Sequence, residues 1–257
     1  MIDLKFLGTG GIGSIRIKNK LSRDYRRFCS VLIDESILID PSEDIFEFES
    51  TFMLGGLISK AKNIFITHSH MDRFSPLTIE KLAERSPIKV YLHPSLLPEV
   101  AGIKNVEAIP IMPFGLIKLQ DHTVLPLPSN HSTELEGEIA YNYLIDSGGT
   151  TLLYALDGAW INPMAWRVLS AAELSAIVFD LGAADAPMSL PCVDHNNIEM
   201  VKNIVEIMKS SGVYSEKTKI YLSNIPASKK RSIHEELCEA ISDLPFRIAY
   251  DGYFTVI

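Results

Sequence analysis

An apolar run, Asn63 to Thr67, stops abruptly at Thr67-His68-Ser69-His70-Met71-Asp72. The run has the length and composition of a short buried strand. In extended chain, residues two apart point the same way, so His68 and His70 aim two imidazoles at one point. Asp72 continues that side as the chain leaves the strand. Neutral imidazole and carboxylate suit zinc or manganese, with iron as a third candidate. Two alternate histidines alone would read as surface side chains. The aspartate that follows and the strand that precedes them point to a metal site instead.

Around this motif the chain reads as many short strands with a few helices. Strands are expected at Ile2–Leu7, Ser30–Ile33, Ser36–Ile39, Lys89–Leu92, Ala108–Ile111, Leu116–Leu119 and His122–Leu127. Others are expected at Ala140–Asp146, Thr150–Ala155, Ala176–Leu181 and Lys219–Ser223, with Phe246–Ala249 and Tyr253–Val256 as a closing hairpin around Asp251-Gly252. Helical spacing covers Pro76–Arg85, His195–Ser210 and Lys229–Ile241, with Asp194 as the expected N-cap of the second. No repeat or Gly/Ser-rich linker divides the 257 residues, so one domain over 1–257 is expected, a layered α/β sandwich.

A formal net charge of −8 and a pI near 5.4 disfavour an extended nucleic-acid-binding face. They leave room for a small anionic substrate, because a local metal or arginine outweighs the global charge. The segment from Arg16 to Arg27 is locally basic, through Arg16, Lys18, Lys20, Arg23, Arg26 and Arg27, and reads equally as a solvated loop or as a phosphate-attracting rim. Gly8-Thr9-Gly10-Gly11-Ile12-Gly13 matches a dinucleotide fingerprint in form, but no amphipathic helix follows it. Those glycines are expected to let backbone approach the site. Cys29, Cys192 and Cys238 form no CxxC pair, so no disulfide framework or cysteine-built zinc site is expected. With neither a signal-peptide pattern nor a membrane-length apolar run, the expectation is a cytoplasmic protein without a membrane partner; a homodimer is compatible with it. His93, His122 and His234 read as structural.

These motifs resemble the metallo-β-lactamase superfamily, over nearly the whole chain. Asp40 in LIDP takes the strand-end acid position; His68, His70 and Asp72 match HxHxDH; His131 in PLPSNHS matches the lone histidine; Asp157 in LLYALDGA matches the bridging aspartate. FLGTGG, Tyr25-Arg26-Arg27, PLPSNHS and Asp194-His195-Asn196 are most similar to the phosphoribosyl cyclic phosphodiesterase branch. The resemblance implies a four-layer αββα sandwich and one divalent metal, zinc or manganese, on His68, His70, His131 and Asp157. Asp40 would brace that ligand set from behind. Two positions depart from the pattern: Arg73 and Asn224 stand where the family places the two histidines of a second metal. Asp72 and Asn224 are thereby reduced to a weak second site. Arg73 is expected to place positive charge against Asp72 and Asp157 and to stabilise an anionic transition state on the substrate. Asp72 and Asp157 join it as catalytic carboxylates, and His195 would hold phosphate or protonate a leaving group. The implied function is metal-dependent hydrolysis of a small phosphodiester, such as a cyclic ribosyl or nucleotide phosphate. The alternatives are another ester class on the same fold and a non-enzymatic metal- or ligand-binding relative.

Overall fold

Asp34 and Glu35 both adopt left-handed backbone, with φ of 48° and 53°. That twist suits a tight hairpin, and it sets Ile33 opposite Ile37 in the first antiparallel pair. The computed structural model describes residues 1–13, 16–187, 190–226 and 233–257. In chain order, β1 (Asp3–Gly8), β2 (Ser30–Ile33), β3 (Ile37–Ile39), β4 (Asn63–Phe65), β5 (Ile88–Leu92) and β6 (Val106–Pro110) lie side by side in one sheet. The first three are antiparallel, and β3 to β6 run parallel.

A second sheet takes β7 (Ile117–Lys118), β8 (Thr123–Pro128), β9 (Tyr141–Ser147), β10 (Thr150–Ala155), β11 (Ala176–Asp180), β12 (Lys219–Ser223) and β13 (Phe246–Ile248). Its strands β7 to β10 are antiparallel and β10 to β13 parallel. The final strand, β14 (Phe254–Val256), returns to the first sheet and pairs antiparallel with β1, Val256 opposite Asp3. The expected closing hairpin is therefore corrected: β13 and β14 belong to different sheets. Asp251-Gly252 turns the chain from one sheet to the other, and the Gly252 N–H donates to the Phe6 carbonyl.

Three apolar layers separate these sheets and their helices. Phe6, Val31, Tyr143, Tyr154 and Val178 fill the space between the sheets. Leu32, Leu38 and Ile64 turn the other way, against α1 (Asp44–Thr51) and α2 (Pro76–Arg85). On the far side, Leu153, Ile177 and Phe179 pack on α4 (Pro163–Leu169), α5 (Ile198–Ser210) and α6 (His234–Ala240). A short α3 (Leu97–Val100) precedes β6. Alternation within β11, Val178 inward and Ile177 and Phe179 outward, follows from the two-residue period of a strand. Two sheets flanked by helices make the αββα sandwich.

Helix boundaries differ from the sequence reading at two places. α5 begins at Ile198 with Asn197 as its cap, the Asn197 side chain accepting from the Met200 N–H at 2.8 Å. Asp194 and His195 thus lie in the loop ahead of the helix, and Asp194 is not its cap. For the expected helix over 229–241, positions 229–232 lie outside the described residues, and α6 covers His234–Ala240. Among the described residues, no helix is long and apolar enough to cross a membrane.

Candidate metal centre and active site

Six polar residues sit at or just beyond the carboxyl ends of parallel strands. Asp40 succeeds β3, Thr67 and His68 follow β4, Asp157 follows β10, Asp180 closes β11, and Asn224 succeeds β12. The carboxyl ends of parallel strands converge on one rim, where a crevice can form. Asp40, Asp157 and Asn224 take left-handed backbone there (φ 50°, 50° and 62°), which Asp and Asn tolerate better than most residues.

Three imidazoles meet at this rim. His68 Nε2 lies 3.0 Å from His70 Nδ1, and His131 Nε2 lies 3.3 Å from the same atom. Their outer nitrogens identify which inner atoms carry lone pairs. Thr67 Oγ1 donates to Asp40 Oδ2 at 2.7 Å and so accepts from His68 Nδ1–H at 3.0 Å. His131 Nδ1–H donates to the Asp194 carbonyl at 3.2 Å. His68 Nε2 and His131 Nε2 therefore point unprotonated at a shared focus. Burial holds the His68 imidazole well below its ordinary range, in the neutral, ligating form. Tetrahedral zinc with bonds of about 2.0–2.1 Å spaces its nitrogens by about 3.3 Å, so this donor set fits a divalent ion.

Asp157 stands beside the triad, its carboxylate within 4.8 Å of His131 and His195 nitrogens. Arg73 Nε donates to Asp157 Oδ2, and Arg73 Nη2 donates to Asn224 Oδ1 at 2.8 Å and lies 3.5 Å from Asp72 Oδ2. Asn224 Nδ2 donates to Asp157 Oδ1 at 2.8 Å and to Asp180 Oδ1 at 2.5 Å. Burial opposes ionisation of Asp157, yet the Arg73 guanidinium beside it holds its carboxyl well below the usual carboxylate range. Burial likewise opposes the Arg73 charge, and Asp157 and Asp72 more than restore it. Burial also pushes the Asp40 carboxyl up to about 7, against the pull of Arg73 and the two Thr67 donors.

A cavity of about 420 Å³ opens above these groups, lined among others by Gly11, Asp72, Asp157, Asp194, His195 and Asn224. Arg73 does not line it: the guanidinium is fully buried beneath the carboxylates. The expected contact of Arg73 with substrate is corrected on that ground. His195 does face the cavity, with Nδ1 3.2 Å from Asp180 Oδ1 and 3.8 Å from Asp157 Oδ1. Although burial opposes it, the Asp180 carboxylate raises His195 to about 9, so the ring is an imidazolium near neutrality.

Asp180 and Thr67 were not among the expected site residues. Asp180 receives His195, Asn196 N–H, Gly182 N–H and Asn224 in one buried carboxylate. Its signal was its position at the carboxyl end of the apolar run AIVFD, the placement shared by Asp40 and Asp157. Gly11 shows the expected close approach, since a Cβ there would meet Asn224 Oδ1 at 2.6 Å. Four of the six cations in the basic segment are buried or paired. Arg26 and Arg27 are buried, Arg27 against Asp251; Arg16 pairs with Asp44 and Lys20 with Glu47. His93 caps a short turn through Ser95, and His122 pairs with Asp34, away from the cavity.

A family model described as the β-lactamase superfamily domain matches residues 35–215. The chain belongs to the β-lactamase superfamily. Solved structures of this fold cover essentially the whole chain. A diphosphatase from the PhnP family is 19% identical with a TM-score of 0.73, covering 100% of this chain and 98% of its own. Zinc-bound PqqB from Methylobacterium extorquens is 12% identical with a TM-score of 0.68, covering 99% and 100%. Human tRNase Z, short form, is 14% identical with a TM-score of 0.70, covering 99% of each chain. A search of curated proteins finds no significant match. At these identities the superfamily members share a fold with this chain, and the chemistry has to be argued from the site.

Proposed function

We propose that this protein is a metal-dependent hydrolase of small phosphoesters, with a phosphodiester, including a cyclic nucleotide or ribosyl phosphate, as its substrate class. The observation that carries this reading is His195, hydrogen-bonded to Asp180, facing the same cavity as three converging imidazole nitrogens. A divalent ion on His68, His70, His131 and Asp157 would supply Lewis acidity and lower the pKa of water. His195 Nδ1 is committed to Asp180, so Nε2–H is the atom left to hold a phosphate oxygen or protonate a departing alkoxide. Asp157, clamped by Arg73 and Asn224, presents an ionised carboxylate of fixed orientation to the cavity wall. The cavity's modest volume suits a compact anion, and the acidic total charge argues against an extended nucleic acid.

A substrate panel tests the reading: an activated phosphodiester, cyclic nucleotides, a cyclic ribosyl phosphate, a thioester and a β-lactam, each with zinc- or manganese-loaded protein. Hydrolysis of the diesters is expected. His195→Ala should lower that turnover by about 100-fold and leave metal content intact. Turnover confined to thioester or lactam would assign another ester class, and metal binding without any turnover would assign a binding module.

A further inference from the structure

The carboxylates beside the histidine triad invite a second cation, and the chain supplies one of its own. Arg73 follows Asp72 directly, in the tight turn where its backbone N–H donates to the His70 carbonyl at 2.8 Å. From there its side chain passes under the cavity floor, with no exposed surface. The guanidinium meets Asp157 through Nε and both Asn224 and Asp72 through Nη2. An incoming ion would need oxygen lone pairs at that place. Each Asp157 oxygen keeps a second lone pair for an ion at the triad, but at this place Oδ2 is taken by Arg73 and Oδ1 by Asn224, while Asn224 Oδ1 is engaged by Arg73 in turn. The guanidinium has no lone pair to offer a metal and keeps its charge at any accessible pH.

The geometry points to a one-metal centre in which the Arg73 guanidinium, locked by Asn224, permanently closes the place of a second ion. This inference rests on reading the His68–His70–His131 cluster as a metal centre and is independent of the phosphoester assignment. Asn224 acts as the latch: its oxygen takes Arg73 while its nitrogen bridges Asp157 and Asp180. Gly11 makes room for it, because any larger residue would press on the Asn224 oxygen. Arg73 is therefore a positioning residue. It neutralises Asp157 and Asp72 from below and fixes the direction of the Asp157 carboxylate, without reaching the substrate.

The test counts ions. Protein stripped with a chelator and desalted is titrated with zinc, manganese and cobalt(II). Bound metal is measured by plasma mass spectrometry and by the visible absorption of cobalt, with anomalous diffraction to locate each ion. Wild type should saturate at one equivalent, at the triad. The double substitution Arg73→His with Asn224→His should bind two. Asn224→Asp, which leaves the guanidinium in place, should stay at one. Two equivalents on wild type, or a single equivalent on a folded double variant, would overturn the closed second place. No metal on wild type would overturn the reading of the triad as well. A single equivalent with no phosphoester turnover would sustain this inference and sink only the substrate class. If circular dichroism shows the double variant unfolded, the wild-type and Asn224→Asp counts still decide.

Discussion

Thr67 shows how one hydroxyl sets the ligating state of a neighbour. Its Oγ1 lies between Asp40 and His68, giving a proton to the first and taking one from the second. Thr67→Val keeps the shape and removes that relay, so metal affinity should fall by about 10- to 100-fold. Competition with a chromophoric chelator measures it, and unchanged affinity would show that the relay has no part in ligation. His68 and His70 were legible as a converging pair because HxHxD puts side chains two apart on one side of extended chain, whereas His131 and Asp157 were expected beside them only from the family motifs. Thr67 and Asp180 were not, because a threonine or aspartate at a strand end carries no signal of its partner until the fold brings that partner near. Arg73 was legible as a charge and illegible as a buried one, since burial depends on Asp157 and Asn224, 84 and 151 positions away. His234 lies far from this chemistry. Burial, with Arg26 and Arg23 nearby and Asp24 only partly offsetting them, lowers it to about 4. The unfolded chain, with an ordinary histidine near 6.5, then binds more protons than the folded one. Stability should fall as pH drops from about 6.5 towards 4, by about 2 kcal/mol after allowance for solvent screening. Urea unfolding across that range, compared with His234→Gln, reads the difference; equal slopes for the two proteins would remove His234 as the source.

At the scale of elements, α5 was recognisable from Ile198, Val201, Ile204, Val205 and Met208 on one face, all of which are buried. Its start was misplaced by three residues because Asp194-His195-Asn196-Asn197 offers several residues of capping type in succession. Only the fold chooses among them: Asp194 is occupied with the Ser132 N–H, and Asn196 with Trp160 N–H and Gly158 carbonyl. Asn197→Ala should cost about 1 kcal/mol in urea unfolding through loss of the cap. A change below a few tenths would show that the Met200 N–H finds another acceptor. α1 and α4 escaped the sequence reading for a simpler reason: eight and seven residues are too few for a helical period to stand out. β13 and β14 were seen as strands, but a turn of Asp-Gly type specifies only that the chain reverses, not which sheet receives it.

For the whole molecule, the layered α/β class followed from many short apolar runs, whereas the αββα arrangement came from the family motifs. His68, His70 and His131 sit beyond the strand ends and belong to none of the three apolar layers. Chelation should therefore leave far-UV circular dichroism unchanged and lower Tm. An ion present at 1,000 times its Kd contributes about 4 kcal/mol. Collapse of the dichroism on chelation would mean that the ion is needed to fold the chain. The pairing of β14 with β1 carries a consequence of another kind. Asp3 lies opposite Val256, so the strand that covers the edge of β1 comes from 253 positions further along the chain. Closing so long a loop is slow, and in the interval β1 presents an open row of backbone donors and acceptors. The second sheet can assemble up to β13 from nearer partners beforehand, and the first sheet keeps that edge open until β14 docks.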